Sequence, residues 1–210
     1  VVLSDDAVYG KALSLDGSNS NYVKVTDTEG KFLLKGADEL TVSYWSKSTN
    51  SGNNDWAFYA AGNDNAQVVN KENYIGIKDR TERILAERYN SIGARPEQVA
   101  KAQTSNSDWK YVTVTYSADA TVIYVNGERV AEDTNNYALE DILGADGVVY
   151  IGKANWGKQG EFSDALIDRE QPYDQYAREF YTDMLPQVGL KSPFTPGLLD
   201  EMVAKLEKKL

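Results

Sequence analysis

Short alternating segments separated by turn residues fill the first three quarters of the 210-residue chain. Thr121–Val125 leads into Asn126-Gly127, which supplies the two positive-φ positions of a type I′ hairpin turn. Tyr74–Lys78 and Arg83–Tyr89 look like a second hairpin, although the later arm also reads as a helix. Similar strands are predicted at Ala12–Asp16, Tyr22–Val25, Leu40–Trp45, Trp56–Ala60, Trp109–Tyr116 and Val148–Gly152. This spacing predicts an all-β, two-sheet antiparallel sandwich or jelly roll.

The last forty residues follow a helical pattern instead. Thr195 and Pro196 suit the cap and first position of a helix. The apolar stripe of that helix comprises Leu199, Met202, Val203, Leu206 and Leu210. We therefore predict a sandwich domain at residues 1–170 and a helical C-terminal extension or linker at residues 171–210.

Charge and composition exclude several classes of function. The net charge is −10, and no dense Lys/Arg cluster is visible in the sequence, so we expect no nucleic-acid partner. The chain has no Cys and no His, which excludes disulfides, the usual zinc sites and His-based triads. No apolar run is long enough for membrane insertion, and the first residues do not read as a signal peptide. A neutral glycan or a calcium ion suits this charge better.

Four segments resemble the bacterial laminin-G-like (concanavalin-A-like) jelly rolls. Gly10–Gly17, followed by Asn21-Tyr22-Val23, resembles their opening, and Leu40–Trp45 is similar to their next strand. Trp109–Glu128 resembles their central hairpin. Tyr150–Gly157 and Phe162–Asp168 together resemble their closing segment. The resemblance covers about residues 8–168, and the order of the segments makes it specific.

The resemblance implies a function as well as a fold. Such domains accompany secreted glycosidases, and many bind carbohydrate or a structural calcium ion. It implies a non-catalytic carbohydrate-binding module of an exported polysaccharide-degrading protein, extracellular or at the cell surface. Its partners would be a plant or microbial polysaccharide and neighbouring domains of a larger chain. A protein-interaction, adhesion or spacer domain is the alternative, and a jelly-roll glycosidase or lyase is a third.

One departure from the family pattern concerns the closing strand. Asp168 is followed by Arg169-Glu170-Gln171-Pro172, and Pro172 has no N–H to donate to a central strand. We therefore expect this strand to be shortened or to lie at a sheet edge.

Aromatic residues beside polar ones are the candidate ligand-binding residues. Trp156 follows Asn155 in a Gly-flanked loop, Trp56 follows an Asn-rich loop, and Tyr89 follows Arg88. A sugar ring offers an apolar face to such rings and hydroxyls to the polar neighbours. The alternative, which we favour for Trp56, is that a ring covers the core. We expect Trp156 to be the ligand platform.

Carboxylate and amide oxygens at the two ends of the matched region are candidate ligands for a calcium ion. The loop after Leu15 offers Asp16 and Asn21, and Asp168 lies near the end of the matched region. The first and last strands of a sandwich are often neighbours, so Asp16 and Asp168 could share one ion. The alternative is that Asp16 caps an Asx turn and Asp168 is solvated.

A catalytic carboxylate pair is not visible on the predicted strands. Two acids facing a glycosidic bond would occupy alternate positions of a strand, and Thr41–Trp45, Lys110–Tyr116 and Val148–Ile151 contain none. No phosphate loop or nucleophile elbow occurs. The sequence therefore favours binding over catalysis.

Overall fold

The computed structural model describes residues 2–18, 21–48, 56–62, 73–90, 97–104, 108–134, 137–155 and 162–168. These residues form thirteen β-strands and one short helix. In chain order the elements are β1 (Val2–Ser4), β2 (Ala12–Asp16), β3 (Val23–Val25), β4 (Leu40–Ser48), β5 (Trp56–Ala61), β6 (Tyr74–Asp79), β7 (Arg83–Tyr89), β8 (Glu97–Gln103), β9 (Lys110–Tyr116), β10 (Ala120–Val125), β11 (Glu128–Thr134), α1 (Leu139–Leu143), β12 (Val148–Ile151) and β13 (Asp164–Asp168).

The strands form two antiparallel sheets. The seven-stranded sheet has the order β1-β2-β13-β4-β9-β10-β11, and the six-stranded sheet has the order β3-β12-β5-β6-β7-β8. The prediction of a two-sheet antiparallel sandwich is confirmed. β13 pairs with both β2 and β4, so of the two expectations for the closing strand, the sheet-edge position is wrong and the shortened strand stays a prediction. Residues 169–210, including Pro172 and the predicted helical extension, lie outside the described residues.

The two predicted hairpins are present. Asn126 has φ 51° and Gly127 has φ 82°, which are the positive values of a type I′ turn. The Asn126 side chain also accepts a hydrogen bond of 2.9 Å from the Tyr111 backbone N–H. β7 pairs with β6 on one side and β8 on the other, so the helical alternative for this segment is wrong.

Apolar side chains from both sheets form one core between them. Ile75, Ile77 and Ile84 come from the six-stranded sheet, and Val112 and Val114 face them from the seven-stranded sheet. α1 adds three buried residues to this core at i, i+3 and i+4 spacing: Leu139, Ile142 and Leu143. Its five residues are too few for the helix itself to be stable, so packing holds α1 in place.

A buried ion pair joins the two sheets. Lys110 Nζ on β9 lies 2.9 Å from a carboxylate oxygen of Asp79 at the end of β6, and both side chains are almost fully buried. Tyr44 lies beside them on β4. Burial, followed by the charge of Asp79, raises the pKa of the Tyr44 hydroxyl well above its usual value.

Strand alternation gives the six-stranded sheet a second face. Because Ile75 and Ile77 point into the core, Tyr74, Gly76 and Lys78 point to the other side of β6. We call this side the outer face. No helix among the described residues is long and apolar enough to cross a bilayer.

Candidate functional site

The outer face of the six-stranded sheet carries an aromatic cluster. Register aligns its members across neighbouring strands: Tyr150 on β12 lies opposite Tyr59 on β5, and Tyr74 on β6 lies opposite Tyr89 on β7. Their alternation with core residues directs all four rings away from the second sheet. The full cluster comprises Tyr22, Trp56, Tyr59, Tyr74, Tyr89 and Tyr150.

The rings of the cluster contact one another in a continuous row. Tyr59 and Tyr74 stack at 5.4 Å between ring centroids, and Tyr74 and Tyr89 stack at 5.3 Å. Trp56 meets Tyr59 and Tyr74 edge-on, at 5.4 and 5.7 Å. Stacked and edge-on pairs are the favoured geometries of aromatic rings, so these contacts stabilise the cluster.

Gly76 makes room for the Trp56 ring. A Cβ built on Gly76 would overlap two carbons of the Trp56 indole, which is a rigid group packed among other rings. We therefore expect Gly76→Ala to lower the free energy of unfolding by about 1–3 kcal/mol, as overpacking does. Urea unfolding monitored by tryptophan fluorescence measures this. In a Trp56→Phe background the same substitution should cost less. An equal cost in both backgrounds would place the clash elsewhere.

Polar groups are fixed between the rings. Glu87 on β7 forms an ion pair of 3.0 Å with Lys78 and accepts a hydrogen bond of 3.0 Å from the Tyr74 hydroxyl. Lys78 Nζ also lies 4.5 Å from the centroid of the Trp56 ring. The carboxylate of Glu87 is thus held by its neighbours on both sides.

The Tyr22 end of the cluster combines aromatic rings with lysines. Tyr22 meets Tyr150 edge-on, with 5.6 Å between the ring centroids. Lys153 Nζ lies 4.3 Å from both of these centroids, and Lys24 Nζ lies 5.9 Å from that of Tyr150. Asn155 follows closely and accepts a hydrogen bond of 2.7 Å from the Tyr59 hydroxyl. We call Tyr22, Lys24, Tyr150, Lys153 and Asn155 the basic edge.

Exposure differs along the cluster. Trp56 and Tyr59 are 0% exposed and Tyr89 is 1% exposed, although the second sheet lies on the opposite side of the six-stranded sheet. Tyr22 is only partly buried, and Lys24 is exposed. In this structure a solute therefore reaches Tyr22, Lys24 and Lys153 at the basic edge, whereas the central rings, Tyr150 and Asn155 are buried.

The structure brings together three of the predicted ligand-binding residues. Trp56, Tyr89 and Asn155 all belong to the outer face. The rings of Trp56 and Tyr89 are buried and not open to solvent. For Trp56 this agrees with the alternative interpretation, in which its ring covers the core. Trp156, the predicted platform, lies outside the described residues. Tyr22, Tyr59, Tyr74 and Tyr150 were not among the residues predicted to bind a ligand. What could have indicated them is their position on the strands, because each side chain points outward once the strands are aligned in register.

Arg88 does not belong to the outer face, because it precedes Tyr89 on β7 and therefore points into the sandwich. Its guanidinium donates hydrogen bonds of 2.8 Å to the Ser117 carbonyl and 2.7 Å to the Tyr137 carbonyl, and it lies 5.5 Å from the Tyr116 ring centroid. It is fully buried. The prediction that Arg88 contacts a ligand is wrong, because its donors hold two loops in place.

The predicted calcium pair does not form. β2 and β13 are neighbours as expected, but Asp16 lies opposite Asp164, at the other end of β13 from Asp168. Four residues of strand separate those ends by about 13 Å, too far for one ion to be shared. The buried Asp168 carboxylate instead accepts hydrogen bonds from the backbone N–H groups of Val8 and Tyr9, at 2.8 and 2.6 Å.

The remaining residues of the predicted calcium site have structural contacts. Asp16 is exposed and accepts a hydrogen bond of 3.0 Å from the Ser18 backbone N–H, which makes the expected Asx turn. Hydrogen bonds from Ser18 lower the pKa of the Asp16 carboxyl. Asn21 donates to the Ser14 carbonyl at 2.9 Å. No group of three His, Cys, Asp or Glu side chains that could hold a metal occurs among the described residues.

Comparison with known proteins identifies the family. A family model for the concanavalin A-like lectin/glucanases superfamily, of the laminin-G type, matches residues 16–177. No curated protein matches the chain in sequence.

Two solved structures share the fold at low identity. Domain 4 of AbnA, a GH43 extracellular arabinanase from Geobacillus stearothermophilus in complex with arabinotriose, is 18% identical with a TM-score of 0.54, and the match covers 80% of this chain and 73% of that one. The CBM40 of the Ruminococcus gnavus IT-sialidase, bound to α2,3 sialyllactose, is 13% identical with a TM-score of 0.53, and the match covers 79% of this chain and 92% of that one. Since the family model matches well over half of its length, the chain belongs to the laminin-G-type family of the concanavalin A-like lectin/glucanases superfamily.

Proposed function

We propose that the chain is a non-catalytic carbohydrate-binding module that holds a glycan at the basic edge of the six-stranded sheet. The observation that carries this proposal is the fixed arrangement of Tyr22 and Tyr150 beside Lys153 and Asn155. Binding sites combine apolar surface with a few precisely placed polar groups, and this edge supplies both.

The chemistry of a sugar suits this edge. One face of a sugar ring is lined by C–H groups and packs against an aromatic ring, as the partly exposed Tyr22 provides. The hydroxyls at the rim of the sugar need hydrogen-bonding partners, and the partly exposed Lys153 lies beside the Tyr22 ring. The buried rings of Trp56, Tyr59 and Tyr74 belong to the same cluster as Tyr22 and Tyr150 and support this edge.

The acidic groups of the outer face favour binding over catalysis. A glycosidase needs two carboxylates facing each other across the bond that is cleaved. The described side chains of this face include one carboxylate, that of Glu87, which the Lys78 ammonium and the Tyr74 hydroxyl hold.

The solved neighbours support a glycan ligand. The AbnA domain binds arabinotriose and the CBM40 binds sialyllactose, and both have the fold of this chain. By analogy, the chain would be a module of an exported polysaccharide-degrading protein, extracellular or at the cell surface. Such a module raises the effective concentration of substrate around a tethered catalytic domain.

Replacing Tyr22 tests the proposed site. Tyr22→Ala removes the partly exposed ring of the basic edge, so we expect the affinity for a bound glycan to fall at least about tenfold. Affinity electrophoresis in gels containing arabinan, xylan, galactan or polygalacturonate measures the loss. The matched control is Tyr124→Ala, because Tyr124 is a partly buried tyrosine on β10 of the other sheet. If both variants were retarded equally, the glycan site would not lie at the basic edge.

A failure to bind any glycan would favour another function. If the unaltered chain is not retarded by any polysaccharide at millimolar sugar concentration, the proposed function is wrong. A protein-interaction, adhesion or spacer role would then be the better account of the same fold.

A further inference from the structure

A cavity of about 300 Å³ lies between β8 and the β10–β11 hairpin, far from the basic edge. β8 belongs to the six-stranded sheet and the hairpin belongs to the seven-stranded sheet, so residues of both sheets line the cavity. Six of them are Thr104, Lys110, Val125, Asn126, Glu128 and Val130. Clefts that hold small ligands begin at about this volume, so there is room for roughly one sugar ring.

A β-bulge gives the cavity an exposed apolar wall. Ile123 lies opposite Ala131 and Tyr124 lies opposite Arg129, so Val130 is the extra residue of the bulge. Its side chain is 40% exposed, which is unusual for a valine on a strand. An apolar side chain at the wall of a cavity suits the C–H face of a sugar ring better than it suits water.

Polar groups beside this wall remain available to a ligand. The Asn126 side-chain oxygen accepts from the Tyr111 backbone N–H, which leaves the amide NH₂ to donate elsewhere. Glu128 is exposed, and its carboxylate forms no ion pair or hydrogen bond with another described residue. The Thr104 hydroxyl donates to the Thr81 carbonyl at 3.1 Å, and its oxygen can still accept a hydrogen bond.

The most deeply buried polar residue of the lining is Lys110. Its ammonium pairs with Asp79 at 2.9 Å, and Nζ has no hydrogen bond besides this ion pair. An ammonium has three N–H groups, so donors remain unsatisfied on this side of the cavity. Because Asp79 balances the charge of Lys110 and Glu128 adds a negative charge, the lining disfavours an anion. It favours a neutral ligand rich in hydroxyl groups.

We infer that this cavity is a second sugar site, which takes a single neutral ring at the end of a glycan. The ring would place its C–H face against Val130 and its hydroxyls against Asn126 and Glu128. β8 and β3 are the opposite edges of the six-stranded sheet, five strand spacings or about 24 Å apart. One ring cannot contact both edges, so this site does not rest on the site proposed at the basic edge.

Titration of the isotope-labelled Tyr22→Ala chain isolates the cavity from the basic edge. The probes are the methyl glycosides of arabinose, xylose, galactose and glucose, with myo-inositol as a polyol that is not a glycoside. We expect at least one glycoside to shift the backbone amide signals of Thr104 and of residues 125–130, and inositol to leave them unchanged.

A second substitution assigns this binding to the cavity. Glu128→Ala in the same background should lower the affinity at least about tenfold, because it removes hydrogen bonds to a charged acceptor. The matched control is Glu39→Ala. Glu39 is an exposed glutamate just before β4, at the opposite end of β9 from Lys110. Thermal melts check that each variant is folded.

The length of the ligand distinguishes a terminal ring from a longer stretch of glycan. In the Tyr22→Ala chain we expect a methyl glycoside and the trisaccharide and hexasaccharide of the same sugar to bind with similar affinity per molecule. An affinity that rises steadily with length would overturn the single-ring assignment, since it would show an open groove.

The remaining outcomes separate this inference from the proposed function. Equal losses in Glu128→Ala and Glu39→Ala would overturn the location, and inositol binding as tightly as the glycosides would overturn the ligand class. No glycoside binding, with normal retardation of the unaltered chain in polysaccharide gels, would overturn the second site alone. Binding in the cavity without any retardation would support the second site and overturn the site at the basic edge.

Discussion

Asp79→Leu is expected to lower the free energy of unfolding by about 3–5 kcal/mol, because it leaves the ammonium of Lys110 buried without its counter-ion. The two groups lie 2.9 Å apart between the sheets, and both side chains are almost fully buried. A charge in that position keeps little of its hydration, so removing its partner costs far more than breaking a surface ion pair. Urea unfolding of the full chain measures the difference.

The double variant distinguishes a buried charge from a lost packing contact. Asp79→Leu combined with Lys110→Met removes both charges and keeps apolar volume, so we expect most of the lost stability to return. A double variant as unstable as the sum of the two single variants would contradict the ion-pair account. The surface variant Lys47→Gln should change stability by less than about 1 kcal/mol.

Trp56→Ala is expected to lower the free energy of unfolding by about 3–5 kcal/mol, the range found for large aromatic residues in cores. Trp56 is 0% exposed and contacts Tyr59, Tyr74 and Lys78. Its removal would leave a cavity above Gly76 that the stacked tyrosines cannot fill. We also expect the near-UV circular dichroism of the aromatic cluster to weaken.

Trp109 supplies the matched control for Trp56. It is partly exposed and donates one hydrogen bond of 3.1 Å to Asp6 at the surface. Trp109→Ala should cost less than about 1 kcal/mol, as surface substitutions do. If the two alanine variants unfold at the same urea concentration, the burial of Trp56 does not make the large contribution to stability that we expect.

Local patterns predicted the strands that alternate or end in a specific turn. Asn126-Gly127 predicted its hairpin because only a few residue pairs accept two positive φ angles. Edge strands were harder to predict from sequence. β11 is mostly exposed and rich in charged residues, and β8, also at a sheet edge, contributes the small side chains of Ala100 and Ala102 to the core, so neither shows a strong apolar alternation. α1 escaped prediction because it is only five residues long.

The site depended on register, which the sequence does not reveal. Arg88 and Tyr89 are adjacent in the chain, yet alternation places them on opposite faces of β7, so only one could belong to the cluster. Asp16 and Asp168 were correctly assigned to neighbouring strands, but the pairing places Asp164 opposite Asp16. Tyr59 and Tyr150 come together only because β5 pairs with β12, across about ninety residues of chain.

The most direct test of the proposed site is to map the bound glycan on the isotope-labelled chain by NMR chemical-shift changes. The proposed site predicts that the largest changes fall on β3, on β12 and on Lys153 to Asn155, at one end of the outer face of the six-stranded sheet. Changes confined to β4, β9 and β10 of the seven-stranded sheet would contradict it.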